Sequence, residues 1–146
     1  MTNILLQAFA SFLGTATFAV IFHVPKHRIL LCGFIGSLGW VCYVLCVAQS
    51  SPAPAAFFST MLVCTLSRFC SIRMRCPVTV FLIAGIFPLV PGAGIYWAAY
   101  YAITKQAALA EAKGLETLLI AVAIVLGIVF ISEIPQKVFQ RRTARI

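Results

Sequence analysis

Residues 88–96, P-L-V-P-G-A-G-I-Y, constrain the fold of this chain more than any other stretch. They set two prolines and two glycines inside an apolar run that extends over residues 77–104. As one unbroken helix those 28 residues would be about 42 Å long. A hydrocarbon core needs only roughly 30 Å. Pro88 and Pro91 lack an amide hydrogen and crowd the preceding turn, while Gly92 and Gly94 accept backbone angles that other residues avoid. The pattern predicts two half-helices meeting at an unwound joint near the membrane midplane. Bare peptide groups are costly in hydrocarbon, so such a joint persists only inside protein or beside a wet cavity. Broken helices at that depth recur where transporters hold their substrates.

The remainder of the chain supports a membrane setting. Of 146 residues, 62% are hydrophobic and 10% charged, and none is aspartate. A soluble domain of this length needs more polar surface. The expected fold class is therefore an all-α polytopic membrane protein with five transmembrane helices in a single domain. The spans are expected at residues 4–24, 28–49, 55–72, 77–104 (broken at 88–94) and 116–134, with a basic cytoplasmic tail over 135–146. The polar stretch 105–115 reads as the longest connection. The first twenty residues have no basic leader and no small-residue cleavage site, so they read as a retained span.

Net charge of +8 would suit nucleic acid, but the basic residues fall in short clusters between apolar runs, which argues for the lipid bilayer as the partner. Lys26, Arg28, Arg68, Arg73, Arg75, Lys137, Arg141, Arg142 and Arg145 share one side of a five-span chain; Lys105 and Lys113 take the other. An excess of this kind faces the cytoplasm, which sets the N-terminus outside and the C-terminus inside. The six cysteines form no C-x-x-C pair, so no metal or cofactor is expected. Neither Ser/His nor paired-acid arrangements occur in the spans, and no catalytic residue is assigned.

Three motifs carry a family resemblance: F-H-V-P-K-H-R at residues 22–28, G-F-I-G-S-L-G-W at 33–40, and the joint at 88–96. Over nearly its whole length the chain resembles the threonine/serine exporter family, in particular the small subunit of its split, two-polypeptide form. His23 departs from the Asn that the family often has there. The resemblance implies a larger five-span partner subunit of inverted topology in the bacterial cytoplasmic (inner) membrane. It also implies export of small carboxylate-bearing metabolites, either threonine and serine or a dicarboxylate such as succinate. A non-transporting membrane assembly or sensor subunit is the alternative.

Within that reading, the joint residues Pro88, Pro91, Gly92, Ala93 and Gly94 are expected to bind substrate. The amides that open the outer half-helix would face a carboxylate at its positive dipole end. Arg68, a strong charge inside a span, is a further candidate for that carboxylate or a partner for Glu133, unless it snorkels to the headgroups. Tyr96, two residues past Gly94, is a candidate for a substrate or gating contact. Glu133 and His23 are candidates for proton coupling; a pair between Glu133 and Lys137 is the plainer reading of the former.

Overall fold

The computed structural model describes residues 4–134, and among these every regular element is helical. The helices are α1 (Ile4–Ile21), α2 (Lys26–Val47), α3 (Pro52–Met74), α4 (Thr79–Ile86), α5 (Gly92–Ile103) and α6 (Ala107–Ser132). A single 3-10 turn, Phe87–Leu89, extends α4 toward the joint. Four helices are long and apolar enough to cross a membrane, and Thr79–Leu89 with Gly92–Ile103 form a bent pair that raises the number to five when its two arms count as one span. The bend is 46°.

One connection differs from the sequence expectation. Residues 105–115 are not an extended polar loop; α6 begins at Ala107, and only three residues separate it from α5. The stretch A-A-L-A-E-A-K-G-L-E consists largely of strong helix formers, and that propensity prevails over its polarity. The basic tail and Lys137 lie outside the described residues.

Three helices stop by the same device. His23, Arg75 and Lys105 adopt left-handed backbone angles (φ 56, 49 and 59°) immediately beyond α1, α3 and α5. At each end two amides turn back onto the last helical carbonyls. Val24 N–H reaches Ala19 O at 3.0 Å and His23 N–H reaches Val20 O at 3.0 Å, and the same pattern repeats at Cys76 and Gln106. These are Schellman closures, in which the residue after the helix is usually Gly or Asn. At α1 the two residues that such a motif joins by an apolar contact, Ala19 and Val24, are both buried in the same core cluster.

The bundle closes through small residues. A methyl group added at Gly36 would collide with Thr15, and one at Gly39 with Val63, so α2 lies nearly in backbone contact with α1 and α3. Polar side chains bind α1 to α2: Ser37 Oγ donates to Ala8 O at 2.9 Å and Trp40 Nε1 to Gln7 Oε1 at 3.2 Å. Phe81, Ala84 and Leu89 of the α4 arm are buried against α2 and α3, whereas α5 buries no residue and packs mainly on α6. At the opposite end of the bundle Arg28 Nη2 donates to Met74 O at 3.3 Å, and Arg68 Nη1 donates to Ile134 O at 2.7 Å. The ends of α1, α3 and α6 therefore meet, as an odd number of crossings requires.

Candidate functional site

The joint is built by its two prolines. Pro88 cannot donate the amide that would continue α4, and the chain tightens into a 3-10 turn that ends with Val90 N–H on Phe87 O at 3.2 Å. Val90 is extended (ψ 126°), as the residue before a proline tends to be. Pro91, at φ −77° and ψ 53°, forms an inverse γ-turn in which Gly92 N–H donates to Val90 O at 2.8 Å. Regular bonding resumes with Ile95 N–H on Pro91 O at 3.1 Å. Between these, the amides of Ala93 and Gly94 have no backbone acceptor among the described residues. Leu89, at the joint, lies close to Gly39 of α2. That level is roughly 20 Å along α2 from its basic end and about 12 Å from its other end.

A cavity of about 420 Å³ lies against this joint. Its walls are residues 88–94 and Trp97 on one side, Trp40 and Tyr43 of α2 on another, and Lys113, Glu116, Thr117 and Ile120 of α6. Lys113 Nζ and Glu116 Oε2 form an ion pair at 2.7 Å, both side chains less than half exposed. Thr117 Oγ1 donates to Lys113 O at 2.6 Å. Gly94 packs so closely on Thr117 that a methyl group there would collide with the hydroxyl, whereas the space around Gly92 is empty. Trp40 and Pro88 also border a second recess of about 320 Å³ against α1, lined by Gln7, Ser11, Gly14 and Thr15.

The structure therefore brings Pro88, Pro91, Gly92, Ala93 and Gly94 together on one cavity wall. Arg68 lies elsewhere: its guanidinium binds the carbonyls of Ile131 and Ile134 and lines a recess with Ser71, Arg75 and Cys76. Tyr96 is 61% exposed and outside the cavity, where it stacks on Tyr100 and meets Trp97 edge-on. Glu133 follows α6 and is exposed, at the end of the molecule away from the cavity. His23 occupies the left-handed position that closes α1. Asn and Gly are the residues that tolerate this conformation best, so a histidine here closes the helix at some cost in backbone strain.

Sequence reasoning missed Lys113, Glu116, Thr117, Trp40 and Tyr43. A signal for the first three was present. The α5–α6 turn is tight, and Gly94 and Thr117 stand equally far from its centre at Lys105 and Gln106. An antiparallel hairpin must bring such residues together. Among the described residues no group of three His, Cys, Asp or Glu side chains is placed to hold a metal.

Apolar helices long enough to cross a membrane, with a bent helix pair beside a cavity, define a polytopic membrane protein with an internal site of the kind transporters carry. The chain belongs to the threonine/serine exporter (ThrE) family, whose model matches residues 7–134. No curated protein and no solved structure matches it.

Proposed function

We propose that this chain is the small subunit of a two-component secondary exporter of small carboxylate-bearing metabolites, threonine and serine or a dicarboxylate such as succinate. The observation that carries the reading is the joint itself. Two amides without backbone acceptors, at the positive end of α5, stand at the wall of a cavity that also holds the Lys113 ammonium. That combination suits a carboxylate and needs no covalent chemistry. A larger five-span subunit of inverted topology would complete the enclosure on the open side of the cavity, and alternating access would proceed by rocking one module against the other.

The same reading places the chain in the bacterial inner membrane with its N-terminus outside, so the cavity lies toward the outer face. Glu133 and His23 then stand at the cytoplasmic end, where a coupling proton carried by either would act on the inner gate. The test is efflux from metabolite-loaded cells expressing this chain with and without the larger subunit. Efflux is expected only from the pair. Equal efflux from this chain alone would refute the two-component reading.

A further inference from the structure

Among the described residues that line the cavity, Lys113 supplies the cation and Glu116 the anion, and the two are bonded to each other. The pair lies on one turn of α6, partly open to solvent, where screening makes such bonds weak and readily opened. The backbone beneath it is held in place. Thr117 bonds back to Lys113 O, and Gly94 packs on Thr117, so this turn is seated directly against the start of α5.

We infer that Lys113 and Glu116 are specificity-determining residues: a zwitterionic substrate replaces their mutual ion pair, its carboxylate taking Lys113 and its ammonium taking Glu116. This rests on the exporter reading above and adds a choice that reading leaves open. One ion pair becomes two, and the site stays neutral before and after. A dicarboxylate is treated differently. Its second carboxylate meets Glu116 with no further cationic side chain on the described wall, and like charges a few ångströms apart repel. A monocarboxylate without an ammonium group opens the pair and leaves Glu116 unmatched.

The experiment is counterflow in membrane vesicles carrying this chain with its larger subunit, using radiolabelled L-threonine and succinate as probes. Wild type is expected to favour threonine by about tenfold or more. Glu116→Gln is expected to lower threonine exchange by about tenfold and to raise the succinate-to-threonine ratio. Lys113→Arg, which keeps the charge, is expected to retain the preference. The decisive variant exchanges the charges, Lys113→Glu with Glu116→Lys. A pair that merely braced α6 would be restored by this swap, whereas a pair that reads the substrate would not. Wild-type selectivity in the swapped protein, or an unchanged ratio in Glu116→Gln, overturns the assignment. A wild-type preference for succinate overturns it while leaving the exporter reading intact. Failure of the wild-type complex to move either probe overturns that reading and this assignment with it.

Discussion

Gly92 and Gly94 stand two residues apart at the start of α5, yet a methyl group added to each meets a different environment. At Gly94 it collides with Thr117; at Gly92 it meets nothing within 4 Å, and neither glycine has a positive φ. Gly92→Ala should therefore leave thermal stability in detergent unchanged or raise it by a few tenths of a kcal/mol through helix propensity. Gly94→Ala should cost about 1–3 kcal/mol, as overpacking does. Thermal unfolding of the two variants side by side checks both. A loss of transport in Gly92→Ala without a loss of stability would then report on the cavity, because the fold does not need that hydrogen. Arg68 gives the complementary case. Its guanidinium closes the end of α6, so Arg68→Leu should lower stability by about 1.5–3 kcal/mol, the range for hydrogen bonds to a charged group. Counterflow should show unchanged substrate preference in that variant; a changed preference would restore Arg68 to the substrate path.

At the scale of the helix, the broken span was legible because proline and glycine act locally. Pro88 and Pro91 remove donors wherever they stand, so the interruption follows from the chain without knowledge of its neighbours. The start of α6 was misread for the converse reason. Lys105, Glu111 and Lys113 look like a solvated connection, but their polarity says where the helix lies relative to lipid, not whether it is a helix. The left-handed closures at His23, Arg75 and Lys105 were also invisible, since none is the glycine that normally marks them. Each holds a side chain in a conformation disfavoured for L-residues. His23→Gly should accordingly raise stability by about 1 kcal/mol. Proton coupling through this imidazole predicts that the pH profile of efflux flattens in that variant; an unchanged profile would remove His23 from the coupling path.

For the molecule as a whole, the pattern of charge and the packing agree. The ends of α1, α3 and α6 meet where Arg28, Arg68 and Arg75 are gathered, and the α5–α6 turn with Lys105 lies at the other end. The orientation this implies can be checked with a chain whose native cysteines are replaced and a single cysteine returned. A membrane-impermeant thiol reagent should label position 105 from outside intact cells and position 27 only after permeabilisation; the reverse would invert the topology. The two arms of the broken span also belong to different neighbours. The inner arm is wedged among α1, α2 and α3, while the outer arm rests mainly on the first half of α6. Only Val90 and Pro91 link them, and the proline ring fixes one of the torsions there. The outer arm is thus a lever on a stiff pivot. A rotation at that pivot would move the outer arm without breaking a hydrogen bond in the inner arm, so a change in the chamber's width would require no melting of helix.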